Sequence, residues 1–151
     1  MTRPANETAG DLANEEAARL LLEPRWKCRM VKLQPALYHV DWAIMRRSRS
    51  ANVHPEAKED ELAGWAEYKR RSGDSTQYEL WKVSLAKWLH LRGLSEKTRV
   101  PGLLVMEWDD GIFYGSWEPV AGKVYPQTTM INYSRDDGVQ NGDYEPAIAI
   151  P

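Results

Sequence analysis

The sequence predicts an α/β domain: a central mixed sheet flanked by two helices, in the order helix, three strands, helix, two strands. Three observations carry that expectation. Apolar residues fall at helical spacing in two stripes, Ala13, Ala17, Leu20 and Leu21 in one and Leu80, Trp81, Val83, Leu85, Trp88, Leu89 and Leu91 in the other. Between them lie three short strand-like runs. After the second stripe, Leu103-Leu104-Val105-Met106 is continuously apolar, as in a strand buried on both faces. The chain has 151 residues, which fits one domain with a single core.

Taken in order, residues 1–10 read as a polar tail. Asp11 or Asn14 caps the first helix, which runs to about Leu22, and Pro24 stops it. Within it, Glu15 faces away from the apolar stripe and pairs with Arg19, whereas Glu16 lies at the stripe's edge and looks inward. Trp26 to Leu33 reads as the first strand, Gln34 and Pro35 turn the chain, and Tyr38 to Ile44 reads as the second. A polar connection from Arg46 to Leu62 carries Pro55 and the acids Glu59-Asp60-Glu61. Gly64 to Arg70 is the third strand, and Gly73 and Asp74 mark a turn. The second helix spans about Gln77 to Arg92, with Gly93 or the Lys97-Thr98 region ending it. Gly102 to Trp108 and Ile112 to Trp117 form a C-terminal hairpin around Asp109-Asp110-Gly111. The rest is rich in Pro, Gly, Asn and Asp and shows no assignable pattern. The expected layout is a tail (1–10), a core domain (11–118) and an irregular C-terminal extension (119–151).

Composition narrows the function classes. Cys28 is the only cysteine, which excludes an internal disulfide and a cysteine-cluster zinc site and fits a reducing cytoplasm. His39, His54 and His90 are scattered, so no histidine-based zinc site or triad is indicated, and no glycine-rich phosphate loop of P-loop spacing occurs. The polar start shows no apolar core of a signal peptide. Apolar runs of four or five residues are too short to span a bilayer. The net charge of −2 hides an uneven distribution. Arg25, Lys27, Arg29, Lys32, Arg46, Arg47 and Arg49 share their stretch with the single acid Asp41, whereas the chain beyond Gly102 is mostly acidic. Such a basic stretch reads either as a nucleic-acid footprint or as a solvated surface.

One constellation carries chemistry. Side chains two apart on a strand share a face, and Glu67 and Lys69 meet that condition in Trp65-Ala66-Glu67-Tyr68-Lys69. Asp41 lies inside the preceding strand-like run, and it sits beside Glu67 if the two strands pair. A charge in the middle of an apolar strand costs free energy unless it is paired or ligates a metal. Two carboxylates near a lysine suit a hard divalent cation and a water to be activated.

An acid followed on the next strand by Glu-x-Lys, set in the order helix, three strands, helix, strand, resembles the PD-(D/E)XK nuclease superfamily. Val83-Ser84-Leu85-Ala86-Lys87-Trp88, followed by a buried strand and hairpin, looks like its small phage-encoded members. The resemblance covers roughly Asn14 to Trp117. It implies a restriction-endonuclease-like core and hydrolysis of DNA phosphodiester bonds with Mg²⁺ or Mn²⁺. Asp41 and Glu67 would hold the metal and Lys69 would position the water. Glu16 from the first helix and Lys87 from the second would support the site. Arg46, Arg47 and Arg49, with Arg70 and Arg71, would hold the phosphate backbone. The family's proline before the aspartate is Val40 here, and the gap to Glu67 contains a rival, Glu56-Ala57-Lys58. Glu67 is preferred because Glu56 follows Pro55 in an all-polar stretch.

The implied partner is DNA, with no membrane, and the implied place is the host cytoplasm. A homodimer or a phage protein partner is compatible with this. Two other classes share the same residues. One is a catalytically silent nuclease fold serving as a phage structural or DNA-binding component, with the virion as its place. The other is an α+β binding module, drawing on seven Trp and seven Tyr against one Phe for a protein-contacting face. Metal binding separates both from the nuclease.

Overall fold

The structure is a computed structural model that describes residues 9–33, 40–47, 60–77, 81–116, 127–133 and 143–150, the last two segments as backbone only. Helix α1 (Ala9–Trp26) leads into β1 (Arg29–Lys32), β2 (Trp42–Arg47) and β3 (Asp60–Arg70). A short 3-10 turn at Ser75–Gln77 precedes β4 (Trp81–Ser84), which runs directly into α2 (Leu85–Thr98). Then come β5 (Gly102–Trp108), β6 (Gly111–Ser116), β7 (Gln127–Tyr133) and β8 (Asp143–Ile150).

The main sheet has the order β1-β2-β3-β5-β6. Its pairs are antiparallel except β3–β5, which is parallel. A parallel pair needs a crossover rather than a tight turn, and α2 lies on that connection. Because strand side chains alternate, each strand feeds two cores. On one face Met30, Trp42, Ile44, Ala66, Tyr68 and Val105 pack against Ala18 and Leu22 of α1. On the other, Val40, Leu104 and the half-buried Trp65 pack against Trp88 and Leu91 of α2. The expected mixed sheet with two helices is therefore present. A Cβ on the buried Gly64 would stand 3.0 Å from the carbonyl oxygen of Pro101.

Several expectations are corrected. Helix α1 is longer than expected at both ends: it begins at Ala9 and carries Pro24 inside its last turn. The missing N–H of proline weakens a turn but does not forbid two further residues, and the chain leaves the helix through Lys27 at φ 51°. The stripe of α1 is also rotated. Ala18 and Leu22 are buried together with Glu15, while Leu20 and Leu21 are exposed. Three leucines in a row cannot fix the phase of a helix, so the stripe read from two of them was the wrong one.

The second helix begins at Leu85, not Gln77. Trp81–Ser84 is instead a strand, paired antiparallel with β8 from Trp81↔Ile150 to Ser84↔Ala147. Lys82 is exposed, and Val83 and Ser84 are buried. The other end runs through Gly93 to Thr98, the later of the two expected stops. A mid-helix glycine costs about 1 kcal/mol; in the added turn Leu94 is partly buried and the buried Ser95 donates its hydroxyl to Val100 O at 2.6 Å. Arg99, at φ 57°, closes the helix by donating its backbone N–H to Ser95 O. The described part of the extension is not irregular: β7 and β8 join β4 in a second sheet of order β4-β8-β7. Of the expected features, residues 1–8, the turn at Gln34-Pro35, the start of the second strand at Tyr38 and the segment 48–59 lie outside the described residues.

Leu91 is fully buried where α2 meets the sheet. Leu91→Ala is expected to lower the unfolding free energy by about 2–5 kcal/mol, read as the urea midpoint. A change below about 1 kcal/mol would mean that α2 is not docked as described.

Candidate active site

On β3, Trp65, Glu67 and Lys69 share the α2 face of the sheet, and Ala66, Tyr68 and Arg70 share the α1 face. The β2–β3 register pairs Trp42 with Ala66, so its continuation sets Asp41 opposite Glu67. The two strands part at this point. Asp41 N donates to Ala66 O at 3.2 Å, and the next ladder position is taken by a side chain: Tyr68 N donates to Asp41 Oδ2 at 2.7 Å. That bond fixes one oxygen of Asp41 while the carboxyl group stands beside Glu67.

Both acids are buried, Asp41 at 5% exposure and Glu67 at 2%. Burial pushes the Glu67 carboxyl well above the usual carboxylate range, and the neighbouring Asp41 charge pushes it further. Lys87, reaching in from the first turn of α2, opposes the rise by donating to Glu67 Oε1. No donor among the described residues reaches Glu67 Oε2, although that atom is buried. Lys69 lies two residues on. Burial pushes its ammonium below the usual lysine range, as do the charges of Lys87 and Arg71, while Glu67 and Asp41 pull it back. A small cleft, with room for about one water, lies beside these groups, lined by Glu67, Lys69, Val83, Ser84, Lys87, Leu104 and Met106.

The sequence-predicted residues divide clearly. Asp41, Glu67, Lys69 and Lys87 come together, and Arg71 lies close enough to act on Lys69. Glu16 does not join them. It is exposed on α1, paired with Arg19 at 2.5 Å, and α1 covers the other face of the sheet. The inward acid of α1 is Glu15, which sequence reasoning turned outward; it is buried and ion-paired with Lys32 of β1. Arg70 also points to the α1 side, bound to Glu107 at 3.1 Å and Asp109 at 3.4 Å. Arg46 donates to Trp26 O at 3.3 Å, five residues along the strand from Asp41, or about 17 Å away. Arg46 therefore does not flank the carboxylates. Arg49 and the rival Glu56-Ala57-Lys58 lie outside the described residues. Ser84, buried and lining the cleft, was not among the expected site residues. Its signal was a serine ahead of an apolar helical run, obscured by placing the helix start at Gln77.

The donors suit a hard divalent cation. Two adjacent buried carboxylates, one with an oxygen that has no donor, are costly as they stand, and a cation would offset that cost. Among the described residues no third His, Cys, Asp or Glu joins them as a metal-holding group. Water and a substrate oxygen would complete the shell, as is usual for Mg²⁺.

A five-stranded mixed sheet between helices, with paired acids and a lysine on one strand face, is compatible with a PD-(D/E)XK-like fold. The family model described as "Phage putative PDDEXK endonuclease" matches residues 1–151, the whole chain, and the protein belongs to this family. No curated protein and no solved structure gives a significant match. Membership suggests a nuclease, for which DNA is the implied substrate, and nucleases of this kind generally use divalent metals. Among the described residues no helix is long and apolar enough to cross a membrane.

The raised Glu67 pKa has a consequence for stability. The folded protein keeps the proton to higher pH than the unfolded chain does, so the native state binds more protons above about pH 4.5. Stability therefore falls as pH rises from there towards the folded pKa, by up to about 1.4 kcal/mol per pH unit. In chelator, wild type is expected to lose stability between pH 5 and pH 8 relative to Glu67→Gln, measured by urea unfolding. Parallel pH profiles for the two proteins would contradict the burial and charge pairing described.

Proposed function

We propose that this protein is a divalent-metal-dependent DNA nuclease that hydrolyses phosphodiester bonds at the cleft between β3 and the start of α2. The observation that carries the reading is the side-by-side burial of Asp41 and Glu67 with Lys69 on the same strand face. Family membership supports the class of reaction. The residues support its location.

Asp41 and Glu67 would hold Mg²⁺ or Mn²⁺ through their carboxylate oxygens. When bound, such an ion polarises a phosphoryl oxygen and lowers the pKa of water. The protein's own residues do the rest. Tyr68 N–H holds Asp41 in place. Lys69, its ammonium partly desolvated, orients the attacking water or stabilises charge growing on the phosphoryl group. Its lowered pKa brings proton exchange with that water nearer to neutral pH. Lys69, Lys87 and Arg71 give the cleft a positive rim for the phosphate backbone, which positions DNA without reading its sequence. Arg46 and Arg47 would contact DNA only beyond the cleft.

Lys69 acts on water and phosphate in this reading, so Lys69→Met is expected to lower cleavage by at least about 100-fold while Mn²⁺ binding persists. Asp41→Asn removes a ligand and is expected to lose both. Calorimetric titration with Mn²⁺, run beside cleavage of linear, circular and nicked DNA, checks this. Cleavage by Lys69→Met at the wild-type rate would remove Lys69 from the chemistry. Wild type that neither binds Mn²⁺ nor cuts any of the three substrates would end the nuclease reading.

A further inference from the structure

Lys87 bonds to the very carboxylate that the proposed metal needs. Its Nζ donates to Glu67 Oε1, and its side chain keeps 29% of its surface exposed whereas that of Glu67 keeps 2%. The pair is therefore asymmetric: the acid is fixed in the strand and the lysine is a long arm reaching in from the cleft. Lys87 lies on the first turn of α2, one turn after Ser84, and its stem has the cleft on its open side.

We propose that Lys87 is a place-holder cation, which occupies the first coordination position on Glu67 in the metal-free protein and yields it to the divalent ion. This deepens the nuclease reading and rests on it. The physical case is one of charge. Asp41 and Glu67 supply two negative charges when ionised, and Lys69 and Lys87 supply two positive ones within the same pocket. A divalent ion entering there meets carboxylates that already have a cationic partner, so it must displace one to bind closely. Lys69 cannot leave easily, since it is largely desolvated on the strand. Lys87 can, because a flexible four-carbon stem on the exposed side of the pair can swing towards solvent. Once displaced, its ammonium remains in the cleft beside Lys69, on the side from which a phosphate would approach. The same lysine thereby stabilises the buried acid before the ion arrives and meets the anionic substrate afterwards.

A competitor for a ligand weakens metal affinity, and that sign separates a place-holder from a metal-site supporter. Lys87→Met and Lys87→Gln are expected to bind Mn²⁺ at least about tenfold more tightly than wild type in the absence of DNA, by calorimetric titration at fixed salt and at a pH high enough that affinity no longer rises with pH in any variant. Lys87→Arg keeps a cation there and is expected to stay near wild type. Circular dichroism establishes that each variant is folded, and the two neutral replacements differ in polarity so that one packing defect cannot decide the result. If both neutral variants bind Mn²⁺ no more tightly than wild type while Glu67→Gln binds more weakly, Lys87 is not a competitor and the metal site stands without it. If wild type, Lys87→Met and Glu67→Gln all fail to bind Mn²⁺, the metal reading falls and this proposal falls with it.

Discussion

Two carboxylates forced together in a dry place organise this molecule. Asp41 and Glu67 meet where β2 peels away from β3, and the Tyr68 N–H that would have continued the ladder is given to Asp41 instead. Like charges at close range in a low-dielectric pocket raise each other's cost of ionisation. A fold keeps such a pair when something compensates it, and here the compensation is partly visible: Lys87 on Glu67 and Lys69 alongside. The rest of the architecture serves to hold that arrangement. The parallel β3–β5 pair demands a crossover, the crossover contains β4 and α2, and the end of β4 and the first turn of α2 bring Ser84 and Lys87 to the cleft. Trp65 Nε1 donates to Thr98 Oγ1 at 2.9 Å, anchoring the far end of the same helix to the same strand.

The two faces of the sheet divide the labour. The α2 face carries the acids, the lysines and the cleft. The α1 face carries a tight apolar cluster edged by its own polar network, in which Tyr68 donates its hydroxyl to Glu107 at 2.5 Å and Arg70 bonds the same carboxylate. Tyr68 joins the two sides, since its backbone faces Asp41 while its ring and hydroxyl belong to the α1 side. Its phenol is pushed above the usual range by burial and by Glu107, so it stays protonated and acts as a donor. Removing that hydroxyl would loosen the strand that carries Glu67 and Lys69 without touching the cleft.

Much of this was legible in the residues because β structure alternates strictly. Glu67 and Lys69 had to share a face, and the apolar run at Leu103 to Met106 had to be a buried strand. Helical phase was harder. In α1 the run Leu20-Leu21-Leu22 allowed several stripes, and only packing against Trp42 and Ile44 selected the one that buries Leu22, Ala18 and Glu15. Glu16 was placed wrongly for that reason. The segment Trp81–Ser84 fits a helical stripe as well as a strand, and what decides is β8, about sixty residues later in sequence and invisible to a local reading. Arg46 stands apart from the acids for a related reason: nearness to Asp41 in sequence became distance along an extended strand, where each residue adds about 3.3 Å.

The most direct test of the central claim is crystallographic. Crystals grown or soaked with Mn²⁺ give an anomalous signal that locates the ion without reference to activity. The expected result is a peak in contact with both Asp41 and Glu67, at roughly 2.0–2.6 Å from a carboxylate oxygen of each. A peak elsewhere, such as at the Asp109-Asp110 turn, with the Asp41–Glu67 pocket empty at saturating Mn²⁺, would contradict it.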